Sequence, residues 1–373
     1  MSNREHIEPP KKIAVIESIR GLAALLVVFY HLPGWNKVVS TSNFVSNGYL
    51  MVDLFFVLSG FVIFKAYGGQ IEKKSDLFRF QFLRFGRLYP IHLLFISIFL
   101  CYTATPFLQT NWAALAQQLL LVQAIGPNDS RGYFNPQAWS ISVEFYVYFL
   151  FGLLVLYFRK KQIQIYWIFF VCSVALLSTR YFFSDFNKEL GSWSDLLNCI
   201  AGFFMGCIAA NWDTRYRWNI SSIWPIAIFL ITLIFLAFKI NNLYDVLIYP
   251  LSAALILALT QSKDGMLKIL LSCAPLVFIG EISYSIYMSH YAIIYLFEER
   301  LRDGLLRRLD SMLGTQLNAP LAGSLPIPDS LLKYSSFFLV LIIVSYLSYC
   351  LIERPFRRYS RGLIGAPDLP KAG

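Results

Sequence analysis

Apolar side chains in this chain fall into long, nearly unbroken runs separated by short polar stretches. Ten runs stand out: 13–33, 48–67, 88–105, 139–158, 164–182, 195–210, 222–238, 244–260, 280–297 and 331–351. A helix needs about 20 apolar residues to cross a hydrocarbon layer of roughly 30 Å, and these runs are close to that length. Inside hydrocarbon each backbone N–H and C=O must be satisfied within its own segment, so such runs become helices. The pattern predicts an all-α polytopic membrane protein of about ten transmembrane helices. One membrane domain covers 13–351, with tails at 1–12 and 352–373.

The first run follows Arg4, Lys11 and Lys12 as a signal peptide would, but it is longer than a usual apolar core and has no clear cleavage site. It reads as a retained helix. Three stretches between runs are long enough to matter. Residues 68–87 read as a basic inner loop. Residues 106–138 hold "NWAALAQQLLLVQAI", an interfacial or re-entrant helix, followed by the turn-rich "GPNDSRGYFNPQ". Residues 298–330 open on "EERLRDGLLRRLD" and end in a Pro- and Gly-rich loop that could cover an outer vestibule.

Composition agrees with the pattern: 57% of residues are hydrophobic and only 14% charged, which leaves almost nothing for a soluble domain. Charge adds orientation. With the N-terminus inside and alternating spans, about twenty Lys and Arg fall on the cytoplasmic side against about nine outside, so both termini read as cytoplasmic. The net charge of +10 then reflects topology and an inner face suited to anionic lipid or a polyanionic ligand, not nucleic acid. The six cysteines have no C-x-x-C spacing, and no metal cluster, P-loop or dinucleotide fingerprint occurs.

Candidate chemistry begins in "ESIRGLAALLVVFYH". Arg20 and His31 are eleven residues apart, which returns to within about 20° on a helix and separates them by about 16 Å along its axis. Ionisable groups in spans are costly and face a bundle interior or cavity by default. Other spans carry similar groups: Asp53 with Gly60 on its face in "GYLMVDLFFVLSGFVIF", and Glu144 with Ser140 one turn earlier and Ser142 nearby in "WSISVEFYVYF". "GEISYSIYMSHYAII" aligns Ser283, Tyr287 and His290 at i, i+4 and i+7, a polar stripe that could contact substrate or join helices. Together they imply a shared polar interior.

The motifs together resemble the acyltransferase 3 family of membrane O-acyltransferases. They are the Arg-x10-His of Arg20 to His31, "VDLFFVLSGF", "RFGRLYP", "WSISVEFYVY", "GEISYSIYMSH" and "ERPFR", in family order over nearly the whole chain. The resemblance implies transfer of an acyl group, usually acetyl from acetyl-CoA, to a hydroxyl of an envelope or exported carbohydrate such as lipopolysaccharide, capsule or exopolysaccharide. It implies a multi-pass protein of the bacterial inner membrane. Some relatives add a periplasmic esterase-like domain; this chain is expected to work without one, alone or with a separate periplasmic partner.

A sugar hydroxyl needs a base near neutral pH, and His31 fits that role by chemistry and by family position. Asp53 or Glu144 would orient its imidazole. Arg84 and Arg87, at i and i+3, could clamp the phosphates of acyl-CoA, and Arg20 either meets the thioester arm or ion-pairs with Glu144. Ser59 lacks a nucleophile elbow and reads as a packing residue; Glu353 and Arg354 before Pro355 read as the end of the last helix. A glycan or glycolipid flippase would also have polar stripes and a vestibule, and is the competing class.

Overall fold

The computed structural model describes residues 11–32, 34–103, 111–126, 132–179, 193–239, 241–300, 311–312 and 327–364. Their architecture is all-α. In chain order the α-helices of more than four residues are α1 (Lys11–His31), α2 (Leu50–Tyr67), α3 (Lys74–Thr103), α4 (Trp112–Leu119), α5 (Trp139–Phe158), α6 (Gln162–Thr179), α7 (Trp193–Arg215), α8 (Ile223–Phe238) and α9 (Ile248–Gln261). They continue with α10 (Met266–Leu271), α11 (Ala274–Glu281), α12 (Ser283–Tyr295), α13 (Ile327–Ser348) and α14 (Arg354–Leu363). Helices occupy part of all ten apolar runs, and among the described residues eight helical segments are long and apolar enough to cross a membrane. Of the other two runs, one holds the 16-residue α8, and the other holds α12, which continues through a π-turn at Leu296–Arg300.

The centre of the bundle is the α2–α7 pair, with α9 against both. Small residues make this approach possible. A Cβ placed on Gly60 would collide with the backbone of Phe203, and one on Gly206 with the carbonyl of Val57. The backbones thus touch where Gly replaces a side chain, as in small-residue interfaces of membrane helices. Gly60→Ala is expected to destabilise by about 1–3 kcal/mol, read as a lower melting temperature in detergent; an unchanged melting temperature would show that the pair can separate freely. Around this centre, α1 packs on α11 and α12, α12 on α13, and α3 on α5 and α14. Outward faces of α6 and α13 present Ile168, Val171, Leu339 and Ile343 to the surroundings, as lipid requires.

Two boundaries differ from the sequence reading. The expected inner loop at 68–87 is mostly helix, because α3 starts at Lys74 and runs unbroken past Pro90. Its first turns are polar and escape a hydropathy window, yet the bundle buries Arg84 there. The last helix does not stop at Glu353 either. A π-turn at Tyr349–Glu353 leads directly into α14, where Pro355 occupies a first-turn position that needs no N–H partner. The start of the expected tail at 352 is therefore helix packed on α3, with Ser360 against Gly86.

The stretch 111–126 folds inward as a short helix and loop. His92 contacts the Gln118 carbonyl through Nε2 at 2.9 Å, and Ser142 Oγ donates to the Leu121 carbonyl at 2.5 Å. Gln123 Nε2 donates to Ala138 O at 3.0 Å. These bonds compensate the left-handed backbone of Leu121 (φ 58°) and hold a polar wall over one end of the bundle. Most of the charged run at 298–310, and the loop after it, lie outside the described residues.

Candidate active site

Two cavities lie along the bundle, one behind the other. The first, open in part to its surroundings, holds ≈ 800 Å³ of empty space and is lined by Arg20 of α1, Ser59 of α2, Arg87 of α3, Glu144 and Tyr148 of α5, and Ser283, Tyr284 and Tyr287 of α12, among others. Glu144 Oε1 accepts from Ser59 Oγ at 2.6 Å and from Tyr148 OH at 2.5 Å. Tyr148 is one turn beyond Glu144, so the helix itself brings the phenol to the acid.

Arg87 lines this chamber, and Arg84, one turn earlier on α3, is buried beside Tyr67; neither guanidinium has an acid partner among the described residues. Arg84 is 8% exposed, donates one long bond of 3.4 Å to Tyr67 OH and stacks over the Tyr67 ring at 5.4 Å, while its Nε has no partner. Among the described residues, neither Arg84 nor Arg87 has a carboxylate within ion-pair distance; Glu17, Glu144 and Glu353 act on Arg87 only at longer range. Glu17 pairs with Arg20 instead, at 2.8 Å, and Glu353 faces Arg357 and Ser285 at 3.4 Å and 3.0 Å. A buried cation without an anion is expensive, and a polyanionic ligand relieves that cost.

The second cavity, ≈ 530 Å³, is lined by His31, Gly132, Pro136, Gln137, Trp139 and Tyr291. His31 ends α1, and its Nδ1 lies 2.9 Å from the carbonyl of Val27 one turn back. A carbonyl only accepts, so Nδ1 carries the hydrogen and Nε2 is left as the basic nitrogen. A backbone oxygen thus does the orienting that the sequence reading gave to Asp53 or Glu144. Those carboxylates are engaged elsewhere: Glu144 in the chamber, and Asp53 with Tyr249 OH at 3.4 Å on the α2–α9 contact.

Between the cavities runs a bridge of hydrogen bonds. Ser140 Oγ donates to Tyr287 OH at 2.9 Å, Tyr287 OH donates to Gln137 O at 2.9 Å, and Gln137 Nε2 donates to Met288 O at 2.7 Å. Tyr287 faces the first cavity and Gln137 the second. The acyltransferase domain family matches residues 13–350, nearly the whole chain. The chain belongs to that acyltransferase family.

Among curated relatives, O-acetyltransferase OatA of Staphylococcus aureus (strain NCTC 8325 / PS 47) is 27% identical over 332 residues, covering 78% of this chain and 52% of the relative. A second protein of S. aureus, from strain COL, carries a provisional O-acetyltransferase name and is 26% identical over 388 residues, 92% of this chain and 57% of that protein. The chain thus spans about half the length of the curated relatives it matches. No solved structure matches it.

The folded chain divides the residues singled out from the sequence of this family member among four places. Arg20, Arg87, Glu144, Ser283 and Tyr287 share the chamber, and Arg84 is buried beside Tyr67, one turn before Arg87. His31 stands in the second cavity with His290 against it, ring centroids 5.1 Å apart. Asp53 sits on a helix contact, and Ser142 anchors the 111–126 wall. The suggested Arg20–Glu144 ion pair is replaced by Arg20–Glu17, a neighbour at i−3 on the same helix. Ser59, read as a packing residue, is a direct partner of Glu144. Tyr148, Gln137 and Tyr284 had not been singled out; the i+4 spacing from Glu144 was the one signal that pointed to Tyr148.

Proposed function

We propose that this chain is an acyl-CoA-dependent membrane O-acyltransferase that places an acyl group, acetyl first among candidates, on a hydroxyl of an envelope or exported carbohydrate. The observation that carries this reading is the pairing of two sites on opposite sides of the Ser140–Tyr287–Gln137 bridge: guanidiniums without acid partners among the described residues at one, an imidazole with a bare Nε2 at the other. The family match and the O-acetyltransferase names of the relatives support it.

On this reading the protein sits in a bacterial inner membrane with Arg84 and Arg87 toward the cytoplasm, where acyl-CoA is found. The arginines take the donor phosphates, and Arg20 lies further along the chamber for the thioester arm. The acceptor enters the second cavity. His31 Nε2 takes the hydroxyl proton while the oxygen attacks the thioester carbonyl carbon. As the tetrahedral adduct collapses, the C–S bond breaks and the proton passes from His31 to the leaving sulfur. Donor and acceptor start on opposite sides of the Ser140–Tyr287–Gln137 bridge, so the bridge must open for each turnover.

The test uses the protein in lipid nanodiscs with radiolabelled acetyl-CoA and host envelope glycans. Label on glycan supports the reading. Donor that neither binds nor reacts, with folded protein and glycan present, would overturn it in favour of glycan transport.

The bridge makes its own prediction. Tyr287→Phe keeps the ring but removes both bonds made by the hydroxyl. Two neutral hydrogen bonds contribute about 1 kcal/mol each, so opening should become easier by about 30-fold. The ratio of acetyl-CoA hydrolysis to acetyl transfer should rise several-fold; an unchanged ratio would mean that the bridge is not a barrier.

A further inference from the structure

The reaction above uses one imidazole, but two meet at the wall of the second cavity. His290 is fully buried on α12, and its Nδ1 lies 2.6 Å from the carbonyl of Tyr287, one turn back. As at His31, the carbonyl fixes the hydrogen on Nδ1 and leaves Nε2 as a lone-pair acceptor. Nε2 of His290 is buried with no hydrogen-bond partner. A buried acceptor with no donor is costly and calls for an explanation.

The ring of His31 supplies one. The two centroids are 5.1 Å apart with the planes tilted by 35°, and the Tyr291 ring packs against both, at 4.9 Å and 5.0 Å. Two imidazoles joined by an N–H···N bond of about 2.9 Å have centroids about 5 Å apart, so the rings are close enough to pair, although here His290 Nε2 makes no bond and the rings must turn toward each other to form one. With both rings neutral, neither Nε2 has a hydrogen to offer. One added proton turns either Nε2 into a donor for the other.

Among the described residues the surroundings contain no better partner. The titratable groups in ring contact with the pair are tyrosines: Tyr30 from α1, and Tyr287 and Tyr291 from α12. Tyr49, before α2, is behind Tyr30. Glu144 of α5 and Asp195 of α7 act on Tyr287, whereas the titratable side chain that acts on His290 is His31. From the cavity side come the neutral Gln137 and Trp139.

We propose that His290 is a positioning residue for the base: its Nε2 and that of His31 share the proton taken from the acceptor hydroxyl. The inference rests on His31 acting as that base. In the balanced step the acceptor O–H breaks, the O–C bond to the acyl carbon forms, and the proton is held between the two nitrogens. It leaves on the thiolate as the C–S bond breaks, and both rings are neutral before and after.

Sharing stabilises the protonated pair, so the pair takes up its proton at higher pH than an isolated His31 in the same place. His290→Phe keeps a ring but removes the acceptor, and should move proton uptake at His31 to lower pH by about one unit or more. His290→Gln keeps an acceptor oxygen and should move it less. A purely structural His290 would leave the interval where it is.

The chain has only four histidines, His6, His31, His92 and His290, which makes direct observation practical. The full-length protein would be labelled with ¹⁵N-histidine, placed in nanodiscs and titrated by solid-state NMR, with the pH profile of acetyl transfer measured in parallel. In wild type the Nε2 signals of His31 and His290 should shift together over one pH interval. In His290→Phe the acid limb of kcat/KM should follow His31 to lower pH, and His290→Gln should fall between. Independent titration in wild type, or an unmoved interval in His290→Phe, overturns the proposal. If the Phe variant does not assemble, the wild-type titration and the Gln variant decide. Joint titration in a protein that transfers no acetyl would uphold the pair and refute the acyltransferase reading; His31-dependent transfer with independent titration would refute only the pair.

Discussion

His31→Ala is expected to lower acetyl transfer to glycan by about 10³-fold while the protein still assembles in the membrane. The imidazole is held by the Val27 carbonyl, its basic Nε2 belongs to the second cavity, and neither Glu144 nor Asp53 is placed to substitute for it. His31 is only half-buried at the end of α1, so its loss leaves little cavity and should cost little stability. Donor binding should persist, because the unpaired guanidiniums belong to the other cavity. Full transfer activity in His31→Ala would remove the base from the scheme and leave direct attack without assistance. A variant that loses donor binding along with transfer would mean that the two cavities are not separate in function.

The second large effect concerns Arg84 and Arg87. Their joint replacement by glutamine is expected to raise the acetyl-CoA concentration needed for half-maximal transfer by about 10²-fold or more. Each charge-assisted hydrogen bond to phosphate contributes roughly 1.5–3 kcal/mol, and two such groups are removed. The sign of the stability change separates ligand binding from structure. Arg84 is buried with one 3.4 Å bond to Tyr67 and no acid partner, so the double variant should be as stable as wild type, or more so, without ligand. It should also lose the rise in melting temperature that acetyl-CoA gives wild type. A destabilised variant with an unchanged donor requirement would assign both arginines to the scaffold.

Helical arithmetic foresaw the placement of Arg20 and His31 well. A separation of about 16 Å on one face puts them in successive cavities rather than in one, which is where the folded chain has them. The polar stripe of α12 was legible for the same reason, with Ser283 and Tyr287 on the chamber and His290 beyond it. Periodicity says which side chains share a face. It does not say what faces them: Ser59 meets Glu144 across 85 positions, and Tyr287 meets the Gln137 carbonyl across 150. The orienting partner of His31 was missed differently. Every residue has a backbone carbonyl, so Val27 leaves no mark in the sequence. The start of α3 was missed because Lys74, Asp76 and Arg79 dilute hydropathy, although a helix end at a membrane surface tolerates them.

The sequence by itself determined the all-α membrane fold and the family, because long apolar runs have one way to satisfy their backbone in lipid and because six motifs recur in order. It also determined which ionisable groups enter the bundle. Only the tertiary structure decided which of them work together. Helix packing brings Ser59 to Glu144, leaves Arg84 and Arg87 without acid partners among the described residues, closes the Tyr287 bridge and sets His290 beside His31. Those outcomes depend on the close α2–α7 approach and on crossings between helices far apart in the chain, which no local pattern encodes.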